Sequence, residues 1–89
     1  MKTYLFSLIT PKGKIFEAEI SSLVAPGKEG FFGVLNGHAP FIAQIKPGVL
    51  KVNMDEKNEK FFNVQSGVFE FNSENRALML CDDAAGVEG

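Results

Sequence analysis

Tryptophan is absent from this chain, and cysteine, histidine and tyrosine occur once each among its 89 residues. A lone Cys81 cannot close an internal disulfide, which excludes a disulfide-stapled scaffold and fits a reducing compartment. It sits in an apolar stretch, where a cysteine reads as a small buried hydrophobe and not as a nucleophile. A lone His38, with no second histidine and no cysteine near it, argues against a metal site built from softer ligands and leaves a hydrolase without its base and orienting group. No apolar run approaches the roughly 20 residues that cross a bilayer, so any tie to a membrane passes through another protein. The opening run Tyr4-Leu5-Phe6-Ser7-Leu8-Ile9 is too short for a secretory core and is closed by Thr10-Pro11. The 9 Lys and Arg are scattered under a formal net charge of −2, so the basic stripe that neutralises nucleic-acid phosphates is missing.

What is present is enough for a core: 45% hydrophobic residues, 22% charged residues and nine phenylalanines, with a mean hydropathy of +0.03. That balance belongs to a folded domain and not a disordered tail. A chain of this length hides only about 60 to 65% of its unfolded surface, so its stability alone should be modest. Period-2 alternation recurs: Leu50, Val52 and Met54 against Lys51, Asn53 and Asp55; Phe62 and Val64 against Asn63 and Gln65; Phe69 and Phe71 around Glu70; Leu78 and Leu80 near the end. Turn signals separate these runs at Pro11-Lys12-Gly13, Asp55-Glu56-Lys57-Asn58, Ser66-Gly67 and Asn72-Ser73-Glu74-Asn75. Strands are expected over residues 3–10, 14–25, 31–34 and 41–45 in the first half, the second long enough to bend and serve two sheets. No segment has a helical period. The expectation is an all-β, two-sheet sandwich of about ten short, mostly antiparallel strands, with one domain over residues 1–83 and a frayed tail at 84–89.

The densest segment is 27–41, where Gly27, Gly30, Gly33, Gly37 and Pro40 crowd around Phe31, Phe32 and Phe41. Glycine serves where φ is positive or another backbone comes close, and proline holds its predecessor extended, so these aromatics sit on a constrained scaffold. Taken singly, each phenylalanine reads as a core plug. Three together beside Val34, Leu35 and Ile42 imply that at least one is exposed to a protein partner. His38 reads as packing or hydrogen-bonding within the Asn36-Gly37-His38-Ala39-Pro40 turn, with contact to a neighbouring subunit the next reading. Gly30 and Gly33 are not a phosphate loop, because no Lys-Ser pair and no helix follow them. The acidic residues Glu17, Glu19, Asp55, Glu56, Glu59, Asp82 and Asp83 fall at turns and on polar faces, and no carboxylate pair for hydrolysis forms.

Over nearly its whole length the sequence resembles the epsilon subunit of F-type ATP synthases, through Glu29-Gly30, Gly33, Gly37-His38-Ala39-Pro40, Ile45-Lys46-Pro47-Gly48 and Gly67-Val68. The resemblance implies a ten-stranded β-sandwich at the foot of the central stalk, bound to the gamma subunit and resting on the ring of c subunits. It implies no catalysis by the chain itself and a mechanical role in passing proton-driven rotation to distant catalytic sites; no cofactor and no metal are expected. Residue by residue, Lys28, Glu29, Gly30, Phe31 and Phe32 match the part that faces the c-ring, and His38, Ala39, Pro40, Phe41, Ile42 and Ala43 match the part that faces gamma, with Thr10 beside it. The place implied is peripheral, on the cytoplasmic face of a bacterial cell membrane; the direct start on a strand fits a bacterial or plastid chain and not a mitochondrial one.

Two departures from the family stand out. Phe31 occupies a place where several members carry an acidic residue, so a ring contact here is expected to lean on Glu29 and on apolar burial. The sequence also stops soon after Cys81-Asp82-Asp83, where most members continue into a two-helix hairpin that regulates ATP hydrolysis; no nucleotide binding and no hairpin-type inhibition are expected. The alternative of an adhesion or ligand-binding sandwich is weakened by the lack of a Trp or Tyr platform.

Overall fold

The computed structural model describes residues 2–87, in which every regular element is a strand. In chain order these are β1 (Tyr4–Thr10), β2 (Gly13–Ile20), β3 (Ser22–Gly27), β4 (Gly30–Leu35), β5 (Phe41–Ile45), β6 (Gly48–Asn53), β7 (Glu59–Val64), β8 (Gly67–Phe71), β9 (Arg76–Cys81) and β10 (Ala84–Val87). Their hydrogen-bonded order is β10-β7-β6-β3-β5-β8-β9-β1-β2, with β4 on the other side of β3. This path is two five-stranded layers joined at β3. The strand pairs with β6 from Ser22↔Asn53 to Val24↔Lys51 and then, at its end, with β5 through Gly27↔Ile45. All pairings are antiparallel except β1 with β9.

Alternation decides which side chains meet between the layers. In β1 Tyr4, Phe6, Leu8 and Thr10 are buried while Leu5, Ser7 and Ile9 are only partly covered, the period-2 signature of a half-buried strand. Leu23, Val34, Leu50, Val52, Val64, Phe69 and Met79 supply fully buried apolar groups from other strands; each such side chain contributes about 1.5–3 kcal/mol by leaving water. Aromatic rings bridge the layers: Phe16 of β2 lies 5.2 Å from Phe62 of β7, and Phe32 of β4 lies 5.4 Å from Phe69 of β8. The Tyr4 hydroxyl donates to the Val34 carbonyl at 2.7 Å, a polar rivet across the core. Burial raises the pKa of this phenol above its ordinary range, which keeps it a donor.

The all-β sandwich expected from the alternation is what forms, with two differences. The stretch 14–25 is not one bent strand: β2 ends at Ile20, and Ser21 breaks the run by donating both its amide (2.8 Å) and its hydroxyl (2.9 Å) to the Asn53 carbonyl. The tail does not fray over Ala84–Val87, which add a strand to β7 in the register Ala84↔Val64 to Val87↔Phe61. The bonds Asp82 N–H to Ser66 O (2.9 Å) and Gln65 N–H to Asp83 O (3.0 Å) steer it there. Its small side chains, of which only Ala84 is buried, carry no alternation, so the pairing is one of backbone groups. The expectation for Glu88 and Gly89 lies outside the described residues.

The Ser66-Gly67 turn admits nothing larger than glycine. A Cβ on Gly67 would overlap the Leu80 carbonyl oxygen and come within 2.7 Å of the Cys81 Cα. β8 and β9 therefore approach more closely here than any other residue allows. Cys81 is buried beneath this crossing, and burial is the main reason its thiol pKa is pushed up.

Candidate partner-binding surface

The β3–β4 hairpin is built to put a short, polar tip beside β5. Gly27 pairs with Gly30 across the two-residue tip Lys28-Glu29. Gly30 has φ +130°, open to glycine at no steric cost, and a Cβ on Gly27 would lie 2.6 Å from the Gly30 carbonyl oxygen. Two backbone bonds hold the hairpin to β5: Lys28 N–H donates to Gln44 O and Lys46 N–H to Pro26 O, each at 2.9 Å. Pro26, which has no N–H to give, offers its carbonyl at the corner where the hydrogen-bonded path passes from β3 to β5.

Between hairpin and β5 lies an open groove of about 710 Å³. Phe32 and Phe41 are turned toward the core, with ring centroids 5.5 Å apart and edge to face, and both pack near Phe69. Such pairs add about 0.5–1.5 kcal/mol beyond their buried area. Phe31, on the opposite face of β4, is 61% exposed, and Ile42 on β5 is 70% exposed. Of the three phenylalanines, then, two are core plugs and one faces outward, as their crowding implied. The residues matched to the ring (Lys28, Glu29, Gly30, Phe31, Phe32) and three of those matched to gamma (Phe41, Ile42, Ala43) border the same groove, so these eight form one continuous surface.

His38, Ala39 and Pro40 lie at the end of that surface in the exposed link from β4 to β5. The His38 amide donates to Leu35 O at 3.2 Å, and its Nδ1 meets the Ala39 carbonyl at 2.6 Å, which requires the proton on Nδ1. The ring rests 4.7 Å from that of Phe41. This is the local packing and hydrogen bonding read from the sequence. Thr10 stands apart from the groove. It is 6% exposed, its hydroxyl accepts the Lys12 N–H at 3.1 Å, and it closes the β1–β2 hairpin beside a separate hollow that includes Ile9, Val68 and Leu80. The outward face of the layer links the two places, since Gln44 pairs with Val68, Val68 with Leu80, and Leu80 with Ile9.

Asn75 is the positioning residue that sequence reasoning missed. It has φ +61° in the β8–β9 turn, its Oδ1 accepts the Gly37 N–H at 3.0 Å, and its Nδ2 donates to Asn36 Oδ1 at 2.7 Å and to Thr3 O at 3.4 Å. One amide thus fastens the turn preceding His38 to the opposite layer. The turn at residues 72–75 was legible; the long-range bonds from its last residue were not.

Chemically the groove offers a lysine and a glutamate at its rim, aromatic rings beneath and aliphatic carbon on its walls, with no nucleophile and base facing each other. Among the described residues no group of three His, Cys, Asp or Glu is placed to hold a metal ion.

The sequence matches, over residues 3–87, the family described as ATP synthase, Delta/Epsilon chain, beta-sandwich domain. It is 34% identical over 84 residues to the ATP synthase epsilon chain of Chlorobium limicola, covering 94% of each chain. It is 39% identical over 87 residues to the ATP synthase epsilon chain of Afipia carboxidovorans, covering 98% of this chain and 62% of that longer one. The fold superposes with a TM-score of 0.88, at 20% identity, on a chain of the Euglena gracilis mitochondrial ATP synthase, covering 94% of this chain and 53% of that one. A Tetrahymena thermophila mitochondrial ATP synthase chain gives 0.81 at 17% identity, with 94% and 66% covered. With the match running from the first strand to the last, the chain belongs to the delta/epsilon-chain β-sandwich family of ATP synthases.

Proposed function

We propose that this chain is a non-catalytic rotor subunit of an F-type ATP synthase, fixing the gamma subunit to the c-ring so that proton translocation is coupled to ATP synthesis. The observation that carries the reading is the family match over residues 3–87, joined to a relative of similar length named as an epsilon chain. The solved chains of like fold come from mitochondrial ATP synthase assemblies that include the c-ring and, for Tetrahymena, the central stalk. Lys28, Glu29, Gly30, Phe31 and Phe32 face the ring in this proposal. His38, Ala39, Pro40, Phe41, Ile42 and Ala43 face gamma, with Thr10 apart from them at the end of β1. The protein then lies at the membrane through its complex, on the cytoplasmic side of a bacterial cell membrane, with no nucleotide or cofactor of its own.

A sandwich suits the task because a close-packed two-layer body is poorly compressible and transmits strain. A pull-down from membranes with the purified chain tests the reading. The unmodified chain should recover gamma and c subunits. Ile42→Asp, which places a charge on a 70% exposed side chain, should lose at least tenfold in gamma recovery with its thermal midpoint unchanged; Phe41→Asp should lose as much but also destabilise the fold, since that ring packs against the core. Failure of the unmodified chain to recover either subunit, or equal recovery by Ile42→Asp, would sink the proposal.

A further inference from the structure

We infer that the free edge of β5 receives an extended segment of the gamma subunit by backbone pairing, as an added strand, and not by side-chain contact alone. This inference rests on the stalk reading above. The ladder between β3 and β5 begins and then stops. Gly27↔Ile45 is flanked by Lys46 N–H to Pro26 O and Lys28 N–H to Gln44 O, after which the hairpin turns back at its tip. Along a strand, the N–H and C=O of alternate residues point to the same edge. Since Gln44 presents its carbonyl to β3 and Lys46 its amide, the amide of Gln44 and both backbone groups of Ile42 lie on that same edge. The opposite edge of β5, through Phe41, Ala43 and Ile45, is already paired to β8. Among the described residues the Gln44 N–H, the Ile42 N–H and the Ile42 C=O have no hydrogen-bond partner.

These three groups recur every second residue, about 7 Å apart, which is the spacing of an extended chain and of no small ligand. They border the groove, whose lining includes Ile42 and Gln44. Phe31 and Ile42 flank it with large exposed apolar surfaces, which suits a guest strand with apolar side chains at alternate positions. The commitment to gamma follows from continuity: Ile42, whose backbone groups form most of the edge, and its neighbours Phe41 and Ala43 belong to the proposed gamma contact. A free edge is also a hazard for self-pairing, and covering it in the assembly removes that hazard.

The test changes only the backbone. The chain is made by chemical ligation with an N-methyl group on the Ile42 nitrogen, and separately with an ester in place of that amide, and each is titrated against purified gamma subunit. Strand addition predicts at least a tenfold loss of affinity for the N-methyl chain, with its thermal midpoint unchanged, and a loss of roughly threefold or more for the ester chain, whose midpoint should fall slightly because the ester weakens the Phe41 carbonyl that faces β8. If the unmodified chain binds gamma and both altered chains bind equally well, the inference falls while the stalk reading stands. Loss for the N-methyl chain alone would point to bulk at an ordinary contact and overturn pairing, and a lowered midpoint for the N-methyl chain would show the amide to be engaged within the fold. No binding by the unmodified chain would overturn both.

Discussion

Asn75 carries more of the surface than its position in a turn suggests, because its one side chain bonds Gly37, Asn36 and Thr3 together. Asn75→Ala removes three bonds and puts alanine at φ +61°; a loss of roughly 1–3 kcal/mol in urea unfolding is expected, with weaker gamma recovery as the His38 turn loosens. Asn75→Gly, which relieves the backbone but not the bonds, should recover part of the stability and none of the gamma binding. Asp55 works similarly in the β6–β7 turn, where its carboxylate accepts the Asn58 side-chain amide first and the Lys57 N–H next, holding its pKa below the usual value. A folded pKa below the unfolded value of about 3.9 means that its stabilisation is full above that pH and is lost as pH falls through the lower folded value. Urea midpoints measured from pH 5 to pH 2 should therefore fall less steeply for Asp55→Asn than for the unmodified chain; identical slopes would show that Asp55 contributes nothing.

At the level of the strand, Gly67 sets the limit. Gly67→Ala drives a methyl into the backbone of β9, and a loss of roughly 2–3 kcal/mol in equilibrium unfolding is expected, against little change for Gly86→Ala, where the added atom meets open space. Alternation made most strands legible: β5 was expected over the residues it occupies, and β1, β6, β8 and β9 follow the apolar positions to within a few residues. The break at Ser21 was hidden because its cause, the Asn53 carbonyl, lies 32 residues away. β10 was hidden because Ala85 and Gly86 have too little side chain to show a pattern, though their backbones pair fully. The groove was only half legible. The crowding of glycine and phenylalanine located its walls, but which phenylalanine turns outward depends on the pairing of β3 with β4 and β5, and that register is set by distant partners.

At the scale of the whole molecule, a close-packed two-layer body carries the proposed partner contacts on one side. Phe31 gives a check on the surface: at 61% exposure, Phe31→Glu should leave folding stability within about 0.5 kcal/mol of the unmodified chain and ring assembly intact or mildly altered, as measured by co-purification of c subunits; loss of the entire stalk would show that apolar contact at this one site is indispensable. The central claim, that this sandwich couples shaft to rotor by shape, is tested most directly by restoring it to membrane vesicles stripped of their own epsilon-type subunit and measuring ATP-driven acidification. The unmodified chain should restore proton pumping and Ile42→Asp should not, although both are folded. Pumping that returned equally with either chain, or failed to return with the unmodified one, would contradict the account.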